Sequence, residues 1–537
     1  MVNNSCRQDE LRNSSSRVGQ SVTGLRCSED TRLEKRMIRH CPKASESWNK
    51  LPWKKFRKDL FRLQRRVYKA VQAGDMRKAK SLQKLILKST SSRYLAIRQV
   101  TQLNAGKKTP GIDGKASLSF SERFELNDLL KSSAQKWKHR GLRQIPIPKK
   151  DGSLRILKVP TMADRAWQCH AKNAIEPAHE ANFNARSYGF RPGRSTQDAQ
   201  KMIFNNLRSK SKGMEKRILE LDIEKCFDRI NHSIILSKLI APNSIKIGIL
   251  RCLKAGVNPE YPDQGTCQGG VISPLLANVA LNGIEEIHPS VRYADDMVFF
   301  LKPENDAKKL TEEISNFLAQ RGLNISQKKT KLTAATDGFN FLGWHFKVQG
   351  NGKFHSNPSE ENYNAFRRKV KTIVNSSNYG AVEKATKLGP IVRGWRNYHR
   401  YCQMKGGRHS LFHIQKRTVK VFNKEPRINR MVCKKLIDRA FPKVPVSENK
   451  YVNVKGEKSP FDGDIVYWSL RNSKLYDGPT STVLRRQAHA CGSCKLKMQG
   501  DELIQLHHID GNHHNWKWDN LVALHQSCHQ YLHMCKS

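Results

Sequence analysis

The chain has 537 residues and carries 97 Lys+Arg against 47 Asp+Glu, a formal net charge of +50. An excess this large, spread along most of the chain, calls for a polyanion, and nucleic acid is the partner it favours over a merely solvated surface or an anionic membrane. No run approaches the ~18 apolar residues of a membrane span and the N-terminus lacks the apolar centre of a secretory signal, so an intracellular, multidomain protein with reduced thiols is expected.

Residues 1–47 are rich in Ser, Asn and Arg and read as a disordered leader. In the expected N-terminal extension and fingers (48–140), apolar residues recur at helical spacing from Trp48 to about Gln102, as in "LFRLQRRVYKAVQAG", with Lys and Arg on the remaining faces. This predicts a basic helical extension that tracks phosphates, against the plainer reading of a solvated face. "TPGIDG" (109–114) is turn chemistry, and "RQIPIPKKDGSLRILKVP" (143–160) predicts two short strands around a Lys-Asp-Gly-Ser turn. Strand-like and helix-like segments alternate over 141–346, which implies a mixed α/β body. Residues 347–425 return to basic helix. There "GWRNYHRY" interleaves Trp395, Arg396, Tyr398, His399 and Arg400, a pattern equally suited to stacking on RNA bases and to a packed helix with snorkelling arginines. Residues 426–485 are basic and weakly periodic, and 486–537 are rich in Cys and His.

Within "SVRYADDMVFF" (290–300) two adjacent carboxylates, Asp295 and Asp296, interrupt an apolar, strand-like run. A bare surface turn would not have such flanks. Phosphoryl transfer by a polymerase uses two divalent ions about 3.5–4 Å apart, and hard cations of this kind take carboxylate oxygens. Asp222, at the end of the apolar pattern "RILEL", is the third carboxylate such a site needs.

"YADD", "LDIEKCFDRINH", "GTCQGGVISPLLANVAL" and "YGFRPGRSTQDA" together resemble the reverse transcriptases encoded by group II introns. "WNKLPWKKFRKDLFRLQRRVYKA" and "TPGIDGK" are similar to that family's N-terminal extension, "FNFLGWHF" to its palm-to-thumb passage and "IVRGWRNYHRYC" to its maturase or X domain. The resemblance implies a right-hand polymerase with α+β fingers and palm, a helical thumb (347–425) and a basic DNA-binding region (426–485). It makes Asp222, Asp295 and Asp296 the site of two Mg2+ ions and Phe227 the aromatic that excludes a ribose 2′-hydroxyl. Lys149 and Arg155 become triphosphate contacts, and Gln268, Gly269 and Gly270 the segment packed on the nascent base pair. Trp395, Arg396, Tyr398 and Arg400 become RNA contacts. This chain departs from the family at Cys267, where Pro is usual, and in a short spacing before "YADD".

In "CGSCKLKMQGDELIQLHHIDGNHHNWKWDNLVALHQSCHQYLH" the spacing of Cys491, Cys494, His507 and His513 fits a two-Cys, two-His finger. The Asp-Gly turn in "HHIDGN" and the unused Cys528 and His529 argue against it. "HHID" and "DNLVALHQSCH" instead resemble the HNH nuclease often found at the C-terminus of the intron family. This implies a small ββα-metal domain with Cys491, Cys494, His525 and Cys528 on a structural Zn2+, His525 standing where a Cys is usual. It further implies His508 as general base, His507, His529 and His533 on one divalent ion, and Asn520 orienting the base or bracing the loop.

The expected function is RNA-directed DNA polymerase, splicing maturase and site-specific DNA endonuclease. Intron RNA, a DNA target and deoxynucleotides would be partners, and a homodimer is compatible. The setting would be a bacterial cytoplasm or an organelle. A reverse transcriptase of another retroelement class and a splicing-only RNA chaperone are the competing readings.

Overall fold

The computed structural model describes residues 44–534 apart from 149–151, 153, 257–260, 405–408, 427, 477, 499–502 and 514. The leader expected over 1–47 therefore lies almost wholly outside the described residues, as does Lys149.

After a short helix at Ala44–Asn49 come three longer ones: α1 (Trp53–Gln72), α2 (Met76–Lys88) and α3 (Thr90–Arg98). In α1 the buried Trp53, Phe56, Leu60, Gln64, Val67 and Val71 form one stripe, while Lys54, Lys55, Lys58, Arg62 and Arg66 face solvent, as the 3.6-residue period dictates. Asp75 starts α2 by accepting the Lys78 amide at 2.9 Å. α4 (Phe120–Ser133) starts with a capping box between Ser119 and Glu122. An antiparallel hairpin follows, β1 (Arg143–Pro148) and β2 (Leu154–Val159), with Ile147, Leu154 and Ile156 exposed.

The long α5 (Met162–Glu180) is buried along nearly its whole length against α1, α2 and α3. Its His170 donates from Nε2 to the Leu87 carbonyl at 3.0 Å and accepts the Ser92 hydroxyl at Nδ1 at 2.8 Å. α6 (Thr196–Leu207) begins at the Ser195/Asp198 capping box.

A four-stranded antiparallel sheet forms the centre. It is built from β3 (Arg217–Leu221), then, beyond α7 (Asn243–Ala255) and α8 (Ser273–Leu281), from β4 (Ser290–Tyr293), β5 (Asp296–Leu301) and, after α9 (Ala307–Ala319), β6 (Lys331–Ala334). The strand order is β4-β5-β3-β6. Alternation splits its side chains between two cores. Leu219, Leu221, Met297 and Phe299 join a cluster that runs from Trp48 to Ile325, while Ile218, Val291, Val298 and Phe300 join a second. The N-terminal extension and the palm thus share one apolar core, although the sequence pattern divides them at 140.

A three-stranded sheet, β7 (Phe339–Phe341), β8 (Trp344–Val348) and β9 (Phe354–Pro358), leads into α10 (Glu360–Asn375), α11 (Ala381–His399), α12 (Phe412–Phe422) and α13 (Arg430–Ala440). Leu436, Ile437, Ala440 and Phe441 are buried with Phe366, Leu388 and Val392 in the thumb core. The boundary expected at 425 therefore cuts through a packed unit: the buried Cys433, Leu436, Ile437 and Ala440 of α13 recur at helical spacing and face the thumb core.

The remainder of 426–485 is anchored on the palm. Arg471, in α14 (Ile465–Leu475), reaches Asp198 at 2.8 Å, Tyr451 hydroxyl donates to the same carboxylate at 3.1 Å, and the Val454 amide does so at 2.8 Å. After α15 (Gly478–Arg486) comes a small terminal unit: β10 (Ile504–His508) pairs antiparallel with β11 (Leu521–His525), and α16 (Gln526–Met534) follows directly.

Candidate functional site

Register places the palm carboxylates. Leu221 pairs with Met297, so Asp222 leaves β3 beside the start of β5, where Asp296 pairs with Tyr293 across the hairpin. Ala294 and Asp295 make the turn, with Ala294 at φ 60°. All three carboxylates feel one another. Removal from water, then the charges of Asp295 and Asp222, pushes Asp296 up to about 7, although its edge faces solvent. Asp295 is raised mainly by burial and also by Asp222, against Arg155 and Lys329, which lower it. Asp222 leans on Lys329, whose ammonium lies 3.0 Å from Oδ2. The three do not close on a single point, so they form an open, repulsive cluster that divalent ions would relieve.

A buried clamp fixes the turn. Arg292 is fully enclosed; it binds Glu285 at 2.6 Å, Asn278 Oδ1 at 2.9 Å and the Ala294 carbonyl at 3.1 Å. Asn278 donates to the Gly189 carbonyl at 2.8 Å. A Cβ at Gly189 would stand 2.3 Å from the Ala294 nitrogen, so only glycine lets that loop lie under the turn. Sequence reasoning passed over Arg292, Glu285 and Asn278. The available signal was an arginine inside an apolar strand, since a charge there requires a partner.

The glycine segment is tied to the hairpin of β1 and β2. The Lys158 amide donates to Gln268 carbonyl at 2.9 Å, Gln268 Nε2 reaches Asp228 at 3.3 Å, and Gly269 has φ 121° with the Lys158 carbonyl 3.2 Å from its absent Cβ. At Gly270 a Cβ would meet Cys267 Sγ at 2.5 Å. Gln168, fully buried on α5, accepts the Val271 amide at 2.8 Å and so holds this loop from beneath. Arg155 is exposed on β2 within electrostatic reach of Asp295. Phe227 is partly buried against the main core.

The interleaved residues at the end of α11, expected as RNA contacts, also pack within the protein, while each keeps part of its surface accessible. Trp395 stacks on Phe366 at 4.4 Å and donates to Asn362; Tyr398 stacks on Trp344 at 4.5 Å and donates to the Leu342 carbonyl. Arg396 holds the carbonyls of Phe441 and Pro442, and Arg400 that of Tyr476. Their faces and donors are used in packing. Arg393, on the same helix, is exposed.

In the terminal unit the side chains sort into two sets. One ligand atom from each of Cys491, Cys494, His525 and Cys528 lies within 4.8 Å of the others, and so does one from each of His507, His529 and His533. Tetrahedral zinc has about 2.3 Å bonds to sulfur, and the first set is compact enough for it. His507 falls in the second set, which leaves the two-Cys, two-His finger without a ligand. His529 and His533 are one turn apart on α16, with Nε2 atoms 3.1 Å apart. Burial, then the neighbouring imidazoles of His533 and His507, lowers His529 to about 4. His508 is buried, with both ring nitrogens sealed from solvent and unpartnered among the described residues. Asn520 braces the loop: it donates to Asp510 and to the Asn515 carbonyl, both at 2.9 Å, and accepts the Asp510 amide at 3.0 Å.

Three family models match the chain: "N-terminal domain of reverse transcriptase" over 48–130, "Reverse transcriptase (RNA-dependent DNA polymerase)" over 147–346 and "Group II intron, maturase-specific domain" over 363–432. Maturase-like protein 1 of Euglena gracilis is 41% identical over 391 residues, covering 72% of this chain and 85% of the relative. Maturase-like protein 1 of Euglena longa is 38% identical over 397 residues, covering 73% and 87%. Group II intron-encoded protein LtrA of Lactococcus lactis subsp. cremoris is 25% identical over 338 residues, covering 48% of this chain and 55% of the relative.

Proposed function

The chain belongs to the group II intron maturase and reverse transcriptase family, and on that premise we propose a multifunctional intron-encoded protein. It copies RNA into DNA, assists the splicing of its intron RNA, and nicks a DNA target strand whose 3′ end then primes the copy. The observation that carries the polymerase reading is that Asp222, Asp295 and Asp296 lie beside one another, within mutual electrostatic reach, at one end of the central sheet. Two Mg2+ ions held there would activate the primer hydroxyl and steady the departing pyrophosphate. Gln268, Gly269 and Gly270 present backbone to the nascent base pair, Phe227 limits the sugar to deoxyribose, and Arg155, with Lys149, takes the triphosphate. Arg292 keeps Asp295 aimed.

The second activity rests on the terminal unit. His507, His529 and His533 suit one divalent ion on the scissile phosphate, and His508 suits proton removal from water. Cys491, Cys494, His525 and Cys528 would tie β10, β11 and α16 together through Zn2+. Exposed cations of α1, α10 and α11 are the surface offered to intron RNA. Among the described residues no helix is long and apolar enough to cross a membrane, and a bacterial cytoplasm or an organelle suits the work.

Metal analysis and a splicing assay test the parts that the polymerase does not. One zinc per chain should survive His525→Cys and be lost in His525→Ala; a zinc-free wild type rejects the structural site. Asp295→Ala should leave splicing of a precursor RNA intact while abolishing DNA synthesis. Loss of both together would show that the carboxylates are needed for RNA binding instead.

A further inference from the structure

Beside the terminal histidines lies a surface that folding does not explain. Trp516, Trp518 and Ile509 are exposed by 53%, 44% and 52%, on a loop whose base is pinned by Asn520. Large exposed apolar side chains grouped on one loop mark a binding surface. Lys517 between the two indoles is exposed, and the Arg486 guanidinium lies 5.2 Å from the Trp518 ring centroid. Aromatic faces alternating with cations suit nucleic acid, bases stacking on the rings and phosphates meeting the charges.

The same loop covers His508. Trp516 meets the imidazole edge-on at 5.2 Å and 86°, and His513 does so at 5.1 Å and 71°. With 6% of its surface accessible and both nitrogens sealed, His508 cannot reach a water molecule in this arrangement. A base that removes a proton from water must lie within hydrogen-bond reach of it.

We propose that Trp516 is a nucleic-acid sensor: it caps His508 in the free protein and leaves it when the indole stacks on DNA bases, so that the base is uncovered only on substrate. The proposal rests on the nuclease reading for the role of His508, and on the loop geometry for the cap. DNA drives the change because an indole freed from His508 offers bases more of its surface than the half-exposed ring does in the capped arrangement, the differential contact that a population shift requires. An edge contact to one imidazole is a small interaction for a base stack to replace.

The test compares full-length wild type, Trp516→Ala and Trp516→Phe, each with zinc content measured to show that the terminal unit is folded. Acylation of His508 by diethyl pyrocarbonate without DNA, localised by fragment-ion mass spectrometry, should rise severalfold in Trp516→Ala and stay at the wild-type rate in Trp516→Phe. Affinity for a short mixed-sequence DNA duplex, by fluorescence anisotropy at fixed salt, should fall about tenfold in Trp516→Ala and far less in Trp516→Phe. Unchanged acylation overturns the cap, and unchanged affinity overturns nucleic acid as the occupant; either rejects the proposal. Plasmid nicking with a His508→Ala control keeps the readings apart, because a wild type that does not nick rejects the nuclease while both other readouts still decide the sensor.

Discussion

At the turn between β4 and β5, Ala294 has a positive φ and its carbonyl is held by Arg292, whose charge is matched by Glu285. Taking away one partner of such an enclosed pair leaves a bare buried charge, a cost of about 3–5 kcal/mol. Arg292→Met should therefore lower the thermal midpoint and DNA synthesis together. Arg292→Met with Glu285→Leu should regain most of the stability, yet not the synthesis, because the Ala294 carbonyl stays unheld. Recovery of both, read by calorimetry and single-nucleotide incorporation, would show that Arg292 is only structural. Two buried histidines give a second prediction. Burial pushes His170 down to about 4 and His179 to about 3, against about 6.5 when unfolded. Between those values the unfolded chain binds more protons, so their contribution is complete above pH ~6.5 and falls as pH drops towards 4, by up to about 1.4 kcal/mol per pH unit for each. Thermal midpoints from pH 7 to 5 should decline accordingly, and less so in His170→Gln. The three neighbouring carboxylates, proposed above as the catalytic acids, stood out in the sequence because they contradict their apolar flanks. Arg292 was legible only as an oddity, since Glu285 and Asn278 lie outside its strand. Trp395 and Tyr398 could not be decided from pattern, because an aromatic-basic alternation looks the same whether it stacks on bases or on Phe366 and Trp344.

Element by element, the amphipathic helices follow from local pattern and the β10/β11 pair was expected only from the resemblance, whereas the docking of distant segments followed from neither. Arg57 on α1 reaches Ser527 Oγ at 2.9 Å and Cys528 Sγ at 3.6 Å, and Arg98 on α3 donates to the Ser527 carbonyl at 3.1 Å. The start of α16 is thus seated on the N-terminal helices some 430 and 470 positions away in sequence, a pairing no spacing announces. Loss of both guanidinium groups should release the terminal unit without unfolding it. In Arg57→Ala with Arg98→Ala, hydrogen exchange should quicken across α16 and across the facing turns of α1 and α3, with zinc retained. Unaltered exchange would show that the apolar contacts alone hold the seat. The link between Asp198 and Arg471 belongs to the same class: Asp198 also closes the capping box of α6, and its partner Arg471 comes from the stretch with the weakest periodicity.

For the whole molecule, the charge of +50 and the acidic cluster fit one substrate: cations on the helical surfaces oppose phosphates, and the carboxylates gather the ions that act on them. Family membership supports the copying of RNA into DNA as the core activity, and the terminal unit is seated on α1 and α3. The polymerase was legible because many short motifs recur in one order, and the two histidine and cysteine sets because their residue types are chemically scarce. The most direct measurement is extension of a DNA primer on an RNA template with Mg2+ and deoxynucleotides, comparing wild type with Asp295→Asn, a near-isosteric change that removes one charge. The account predicts extension by wild type and a loss of at least about a thousandfold, some 4 kcal/mol of barrier, in the variant with RNA affinity unchanged. Equal extension by both, or none by a wild type that still promotes splicing, would contradict it.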